Sequence, residues 1–353
     1  MQITRVEVTP VELKLKHPAR MANIVIDHVT AVFVRMETKQ GQNAWGCAVA
    51  HPDLTGENPS DLIHACSVCA DAVPALHPTN LEYSLTELSK LIRHDSSALC
   101  AFDLAFHDLL GLAADMPLYR LLGGFRNRIQ TSVTVPIASV DESVEIAKQH
   151  ARNGFRMLKI KGGVNAEEDV RRVRAIRRAL PSFVLRLDVD GGYSVEQSIE
   201  VARALDGIIE MLEQPTPAKD LDGLIQVSRH SSVPILADQS ITDPESALQL
   251  AAQGAVKGFS VKLAACGGFR CARQMDAIAR AAKITMMVSC LIEPALLISA
   301  GLSFALSSAN IQYVDLDGHL DMVNDPTSEA GFQLEDGWLV ARDVPGLGCT
   351  ISI

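Results

Sequence analysis

The chain has 353 residues, of which 48% are hydrophobic and 21% are charged, the composition of an ordinary soluble globular protein. This length predicts one large barrel or two domains. The formal net charge of -10 argues against nucleic acid and anionic membranes as partners, because both attract clustered Lys and Arg. The N-terminal residues lack the apolar core of a signal peptide, and no uninterrupted apolar stretch reaches the length of a membrane span. We therefore expect a cytoplasmic protein.

The first region, up to about residue 125, combines strand-like segments with helices. Alternation of polar and apolar residues predicts strands at 3–13 and 28–38, and helical periodicity follows at 60–74 and 97–114. This order, strands followed by helices, is typical of an α+β unit.

The eight cysteines are scattered, and only Cys66 and Cys69 form a C-x-x-C pair. They lie three residues apart in the first predicted helix and so share a face. A redox or zinc site would need a second pair or a strand–turn context, and we find neither. We interpret both residues as small buried side chains and predict no disulfide framework.

From residue 129 onward, strand-like and helical segments alternate strictly. Eight parallel strands with intervening helices are the number that closes a TIM-type barrel. An open doubly wound sheet is the alternative, but no Gly-rich nucleotide loop follows the first strand. After the eighth strand the tail carries strands and turns, which we expect to pack back on the first region. The predicted barrel strands are 129–135, 157–162, 183–190, 208–215, 234–239, 258–264, 284–290 and 311–318.

Carboxylates end three successive barrel strands, at the edge where barrels of this kind carry their active sites. Asp188, Glu213 and Asp238 are equally spaced (213 - 188 = 25 and 238 - 213 = 25). One βα unit separates each from the next, so adjacent strands would bring all three to one wall of the barrel mouth. Charges in apolar strands are costly unless they are paired or metal-bound. Oxygen ligands without nearby His or Cys favour Mg²⁺, with Mn²⁺ as a substitute, over zinc. Unrelated surface carboxylates would not explain the shared register.

Lysines end the second and sixth barrel strands, which face each other in a ring of eight. Lys159 and Lys161 point to the same side of their strand, because side chains alternate. Lys161 and Lys262 would then flank whatever the metal holds. A nearby cation disfavours the ammonium form and moves the pKa of a lysine toward neutrality, as a base requires. For Lys159 we favour an ion pair with a metal-site carboxylate.

The order K-x-K, Asp, Glu, Asp, Lys on successive strands resembles the muconate-lactonizing subgroup of the enolase superfamily, over the whole chain. LKIKGG is similar to its K-x-K motif, EQP around Glu213 to its second ligand motif, and VKLAACGG to its opposite lysine. AFDLAFHDLLG and PGLG are similar as well. The resemblance implies an α+β cap over a (β/α)7β TIM-like barrel. The cap domain would be 1–125, completed by 322–353, and the barrel domain with the metal and catalytic residues 126–321.

Further motifs are similar to those of the dipeptide epimerases of the L-Ala-D/L-Glu type. DLDG resembles their Asp-x-Asp, which implies that Asp315 and Asp317 hold a substrate ammonium group. TGE, which begins at Thr55, is similar to their cap loop. We expect Thr55 and Glu293, which follows the seventh strand, to be further substrate contacts.

Three positions depart from the family's usual pattern. Its third strand ends in Asp-x-Asn, where this chain has DVD at 188–190, and its fifth in Asp-Glu-Ser, where this chain has DQS at 238–240. One carboxylate is gained and another is lost nearby, so we expect the local charge to be roughly kept. In relatives that act on Ala-Glu, a cap-loop arginine grips the acidic side chain. Here Ile24 stands at that place, and Arg20 is the nearby basic candidate.

The resemblance implies a 1,1-proton transfer on a small-molecule substrate, a dipeptide or an acylated amino acid. The substrate carboxylate would chelate Mg²⁺, one lysine would remove the α-proton, and the metal would stabilise the enediolate. The other lysine would return a proton on the opposite face. An N-acylamino acid racemase or a cycloisomerase is the alternative within this chemistry. A metal-binding relative without turnover is a third reading, motivated by Asp190 and Gln239. We also expect a homo-oligomer.

Overall fold

The computed structural model describes residues 1–21, 24–92 and 96–353. It begins with an antiparallel sheet of order β1-β2-β3, which forms the base of the cap. The first two strands were predicted from their alternation. The third, NAWGCAVA, was not, because most of its residues are small or apolar and are buried on both faces. A Cβ at Gly46 would lie 1.8 Å from the carbonyl oxygen of Ala101, so this glycine permits a helix to pack directly on the strand. The strands are β1 (Ile3–Met21), β2 (Ile24–Thr38) and β3 (Asn43–Ala50).

Helices cover the cap sheet. The first and third agree with the prediction, whereas the second, LEYSLTELSKL, was not predicted. Cys66 and Cys69 are buried in the apolar core between the sheet and these helices, which confirms their interpretation as small buried residues. The helices are α1 (Pro59–Ala72), α2 (Leu81–Leu91), α3 (Ser96–Ala113) and the short α4 (Leu118–Leu121).

Helix α3 is long and apolar enough to cross a membrane by length and composition alone, but most of it is buried inside the protein. A core helix meets the same criteria. Its buried Asp108 accepts a hydrogen bond from the backbone N–H of Trp45 in β3 (2.9 Å) and another from Leu347 near the C-terminus (2.6 Å). Burial raises the pKa of this carboxyl to about 6, although the two N–H groups oppose the shift. Asp108 thus connects the helix, the cap sheet and the tail.

The predicted first barrel segment, 129–135, divides into two strands. β4 (Arg128–Gln130) pairs with the tail, and β5 (Val133–Val135) belongs to the barrel. Eight parallel strands, β5 to β12, form one sheet in chain order. Ser132 donates its backbone N–H to the carbonyl oxygen of Val314 in the last strand (3.3 Å), which joins the two ends of the sheet. The remaining strands are β6 (Met157–Lys161), β7 (Val184–Asp188), β8 (Met211–Glu213), β9 (Ile235–Ala237), β10 (Gly258–Val261), β11 (Thr285–Ser289) and β12 (Ile311–Asp315).

The barrel helices begin where polar side chains accept hydrogen bonds from the first free backbone N–H groups. Ser139 and Asn165 each cap one helix, and Ser194 and Asp243 form capping boxes with the residue three positions later. These caps mark where the loops that follow the strands end and the helices begin. The helices are α5 (Val140–Arg152), α6 (Ala166–Ala179), α7 (Val195–Ala204), α8 (Leu221–His230), α9 (Pro244–Ala252), α10 (Leu263–Cys266), α11 (Phe269–Ala282) and α12 (Ala295–Ser307).

The tail contacts both parts of the molecule. Its strands β14 and β15 form a sheet with β4, and β13 pairs with β16. On the cap side, Leu15 forms a β-bridge with Met322, and Lys16 donates its backbone N–H to the carbonyl oxygen of Asp321 (2.7 Å). The tail strands are β13 (Thr327–Glu329), β14 (Phe332–Glu335), β15 (Trp338–Ala341) and β16 (Thr350–Ile351).

Candidate active site

Three carboxylates lie side by side where β7, β8 and β9 end. Asp188 and Glu213 are the last residues of their strands and are paired in register, and Asp238 follows β9 directly. All three are buried. The predicted spacing of one βα unit therefore corresponds to neighbouring strands of the barrel.

Gln214 connects the loops that follow β8 and β9. Its side-chain oxygen accepts the backbone N–H groups of Asp238 (2.8 Å) and Ser240 (3.2 Å). Its amide nitrogen donates to the hydroxyl of Ser240 (2.7 Å) and to the carbonyl oxygen of Thr216 (2.9 Å). The residue is fully buried and has a φ of 38°, a costly left-handed conformation that these bonds hold in place. Gln214 thereby fixes the backbone position of Asp238.

Lys159 lies at the centre of the carboxylates. Its Nζ is 2.8 Å from Asp188, 3.1 Å from Glu213 and 2.7 Å from Asp315. Burial opposes its charge, but the surrounding carboxylates raise the pKa of Lys159 well above its usual value. The ion pairs expected for this residue are present.

Lys161 and Lys262 lie on opposite sides of the barrel mouth, at the ends of β6 and β10. Lys161 contacts Asp188 (2.7 Å) and Asp190 (2.8 Å), and Lys262 forms a short contact with Asp238. Burial opposes the charge on both, yet these carboxylates raise the pKa of each lysine. The lowered pKa expected from the sequence concerns a lysine that faces a bound cation, and it stays a prediction.

Two of the three departures from the family's usual pattern, Asp190 and Gln239, contact each other. The side-chain amide of Gln239 donates to Asp190 Oδ1 (2.9 Å), and Asp190 also pairs with Lys161. A carboxylate and an amide therefore face each other across strands three and five. The carboxylate lies on strand three and the amide on strand five, the reverse of the usual family pattern. The rough balance of local charge that was expected at these two positions stays a prediction.

The carboxylate wall has the donors that a divalent cation requires. Among the described residues no three His, Cys, Asp or Glu side chains are gathered as a metal site, and the ammonium of Lys159 lies between Asp188 and Glu213 instead. However, Glu213 Oε1 is buried and has no hydrogen-bond partner in the part of the chain that the structure describes. Burial, together with the Asp188 carboxylate, raises the pKa of Glu213 to about 7. A buried, unpartnered oxygen between two further carboxylates fits a Mg²⁺-type ion.

The two aspartates of strand eight have different surroundings. Asp315 is buried and accepts hydrogen bonds from Lys159 and from the Ser132 hydroxyl (both 2.7 Å). Both aspartates line the chamber between the barrel mouth and the cap, and Asp317 accepts the backbone N–H of Thr134 (2.7 Å). Burial and the nearby Asp315 raise the pKa of Asp317 to about 6. Although burial opposes it, the Lys159 ammonium lowers the pKa of Asp315.

Two further predicted substrate contacts, Thr55 and Glu293, differ in whether they line the chamber between the barrel mouth and the cap. Thr55 lines the chamber and donates its hydroxyl to Glu57 (3.0 Å). Glu293 does not line the chamber. It is buried and accepts the backbone N–H of Leu291 (3.3 Å), and burial raises its pKa to about 8.

Arg20 and Ile24 do not line the chamber, so their positions do not support the substrate roles expected for them. Arg20 is exposed, and the chamber side of β1 carries Ala19 and Met21 instead. The strand has a register irregularity between Lys14 and Ala19, which changes the faces of the residues beyond it.

A chamber of about 570 Å³ lies between the barrel mouth and the cap, a size typical of sites for small molecules. Its floor carries the lysines and carboxylates described above. Its roof and sides are mostly apolar. Sequence reasoning missed the residues of the roof, because they come from loops without periodicity. It also missed Gln214, although EQP contains it.

This arrangement is that of an α/β-barrel protein with a capping unit and a charged site between them. Residues 3–123 match the mandelate racemase/muconate lactonizing enzyme N-terminal domain, and residues 142–352 match the enolase C-terminal domain-like family. The chain belongs to this family within the enolase superfamily, which confirms the resemblance inferred from its motifs.

Several relatives of known activity cover nearly the whole chain. An L-Lys-D/L-Arg epimerase of Desulforapulum autotrophicum is 33% identical over 353 residues, 99% of each chain. A hydrophobic dipeptide epimerase of Enterococcus faecalis is 32% identical over 338 residues, 95% of each chain. The crystal structure of the dipeptide epimerase from Enterococcus faecalis V583, complexed with Mg and L-Leu-L-Tyr, has a TM-score of 0.96 and 32% identity. That match covers 99% of this chain and 100% of the other.

Proposed function

We propose that the protein is a Mg²⁺-dependent epimerase that inverts an amino-acid α-carbon, with a dipeptide as substrate. The observation that carries the proposal is the placement of Lys161 and Lys262 on opposite sides of a wall of three carboxylates. The likeness to dipeptide epimerases over the whole chain supports it.

Asp188, Glu213 and Asp238 would hold the metal ion. When bound, Mg²⁺ would hold the substrate carboxylate and stabilise the negative charge that develops as the α-proton leaves. The Enterococcus structure, which contains Mg and a dipeptide, supports this assignment. Full activity that persists after removal of divalent ions with a strong chelator would contradict it.

Lys161 and Lys262 would act on opposite faces of the α-carbon. The neutral Nζ of one lysine takes the α-proton and becomes an ammonium, and the ammonium of the other gives a proton to the opposite face and becomes neutral. The centre is inverted, and the two lysines have exchanged protonation states. Lys159, paired with three carboxylates, would position the wall.

Asp315 and Asp317, which both line the chamber, would bind the α-ammonium group of the dipeptide. Strand eight lies opposite strand four in the ring, so a substrate held by its carboxylate near Glu213 extends toward Asp317. A hydrogen bond to a charged group contributes about 1.5–3 kcal/mol. Acetylation of the amine removes this charge and should lower kcat/KM by at least about tenfold.

An N-acylamino acid racemase is the second candidate function. It is favoured by the internal contacts of the two aspartates, since Asp315 already binds Lys159 and Asp317 already accepts the N–H of Thr134. The acetylation experiment separates the two functions. An acylated substrate that is turned over as well as the free dipeptide would favour the racemase.

The test of the mechanism is α-proton exchange in D₂O, with Lys161→Ala and Lys262→Ala as variants. Each variant should lose epimerisation and keep exchange of one epimer only, because the remaining lysine reaches one face. Epimerisation near the wild-type rate by Lys262→Ala would refute the two-base mechanism. Absence of exchange by the wild-type chain with every dipeptide and acylated amino acid would indicate a relative without turnover.

We also propose a cap domain of residues 1–125 completed by 322–353, and a barrel domain of residues 126–321. The hydrogen bonds that join Asp108 to Leu347 and Lys14 to Val323 and Asn324 support this division. A homo-oligomer and a cytoplasmic location stay predictions, which sedimentation and cell fractionation would test.

A further inference from the structure

We propose that the chamber selects dipeptides in which both side chains are apolar, and that it rejects acidic ones. The proposal rests on the proposed function and adds the substrate class. The proposal follows from the apolar side chains that line the two sides of the chamber. It follows also from the ion pairs that the charged groups of the lining already form within the protein.

The side next to strand eight would receive the N-terminal residue of the dipeptide, because Asp317 lies there. Its surfaces are formed by Leu15 of the cap, Leu320 of the loop after β12, and Leu291 and Val133 of the barrel. Leu15 is held over this loop by its β-bridge to Met322. The side chain of the first residue therefore meets hydrocarbon.

The side next to strand six would receive the side chain of the second residue, whose α-carbon lies between the two lysines. Leu54, Ile292, Ala265 and Cys266 form its surfaces. The acidic residue of the lining at this end, Glu57, forms hydrogen bonds within the protein. Glu57 accepts hydrogen bonds from Thr55 (3.0 Å) and from the backbone and hydroxyl of Ser97 (3.0 and 2.5 Å).

In the described part of the chain, the lining offers an acidic side chain no cation that is not already paired. Within residues 1–21, 24–92 and 96–353, no arginine lines the chamber, and its lysines are the three at the floor, each paired with carboxylates. At the rim, the imidazole of His17 lies 3.3 Å from Asp321, and both side chains are more than half exposed. This exposed, paired carboxylate is a weak partner for a cationic substrate.

The experiment compares kcat/KM for a set of dipeptides in D₂O, read by deuterium incorporation and by epimer ratio. L-Ala-L-Leu should exceed L-Ala-L-Glu by at least about a hundredfold, because an unpaired buried charge is costly. Each methylene added to an aliphatic side chain should raise kcat/KM by up to about fourfold until the chamber is filled. L-Lys-L-Leu should fall below L-Leu-L-Leu.

Two variants test the walls directly. Leu54→Arg should raise the ratio of L-Ala-L-Glu to L-Ala-L-Leu by at least about tenfold, and Leu54→Met, which keeps the surface apolar, should leave this ratio near wild type. Leu320→Arg, at a side chain that is 41% exposed and so tolerant of change, should do the same for L-Glu-L-Leu over L-Leu-L-Leu.

The outcomes distinguish failure of this proposal from failure of the proposed function on which it rests. Exchange that is fastest with acidic or cationic dipeptides would overturn the selectivity and leave the epimerase assignment intact. Unchanged ratios in both arginine variants would also overturn it. Exchange with no dipeptide at all would overturn the proposed function and this inference together.

Discussion

The contact between Asp190 and Gln239 leads to a specific prediction about the free energy of unfolding. Gln239→Glu would place a second carboxylate where the amide now donates to Asp190 Oδ1 at 2.9 Å. The charge-assisted hydrogen bond, about 1.5–3 kcal/mol, would be lost. Two carboxylates about 4 Å apart near a protein surface repel by up to about 4 kcal/mol, which Lys161 reduces because it pairs with Asp190. We expect Gln239→Glu to lower the free energy of unfolding by about 3–5 kcal/mol.

The double variant Asp190→Asn with Gln239→Glu should recover much of this loss. The asparagine amide would donate to the new carboxylate, so the hydrogen bond would form again with donor and acceptor exchanged. The double-mutant cycle should therefore show a favourable coupling of about 2–3 kcal/mol. Gln239→Ala is the control, since it removes the hydrogen bond without adding charge and should cost about 1.5–3 kcal/mol.

The assay is denaturant unfolding of all five proteins at neutral pH, followed by fluorescence and by circular dichroism to check that both signals change together. Effects of the two single substitutions that add within about 0.5 kcal/mol would refute the reasoning, because independent sites add in this way.

Three further predictions concern residues that position a metal-site carboxylate or hold the cap together. The pKa of Asp108 is raised to about 6 in the folded protein. The protonated carboxyl therefore stabilises the fold fully at pH values below the unfolded-state pKa, and this contribution is lost as pH rises through about 6. The stability of the wild type relative to Asp108→Asn should fall by about 2–2.5 kcal/mol between pH 4 and pH 7 in denaturant titrations, and a constant difference would contradict this. Gln214→Ala should weaken Mg²⁺ binding about 10–100-fold by calorimetry, because it frees the backbone of Asp238, and unchanged affinity would refute that role. Gly46→Ala should lower the melting temperature by several degrees, because its Cβ would meet the carbonyl oxygen of Ala101, and an unchanged value would show that the helix can move away.

The barrel and its charged strand ends were predictable because both depend on periodicity. Alternation along each strand and the equal spacing of Asp188, Glu213 and Asp238 reflect repetition of one βα unit, which the chain order of the sheet preserves. The strand β3 was missed for the opposite reason. Its residues are buried on both faces, so no alternation marks it.

The parts of the site that sequence reasoning missed depend on contacts between distant residues. The departures at 190 and 239 were expected to lie near each other, but the hydrogen bond from Gln239 to Asp190 could not be inferred, because it depends on the directions of two loop side chains. Arg20 was considered because it is the basic residue near Ile24 in the sequence, and the irregularity of β1 between Lys14 and Ala19, which no sequence period shows, affects which face its side chain takes. Loop residues such as Leu54 and Leu320 have no period from which their direction can be inferred.

The attachment of the cap to the loop after β12 has a consequence for how the chamber exchanges its contents. Lys16 and Val323 donate backbone hydrogen bonds across this junction, at 2.7 and 3.0 Å, and Lys14 donates another to the side chain of Asn324 (2.8 Å). An outward swing of the cap here would break all three bonds at once. On the side of strand six, the His51 imidazole of the cap lies 2.9 Å from the carbonyl oxygen of Ile292, and the Ser97 hydroxyl donates to the carbonyl oxygen of Ala264 (3.3 Å). The cap is therefore hydrogen-bonded to the barrel on both sides of the chamber, and a swing of the whole cap to exchange the contents would break bonds on either side.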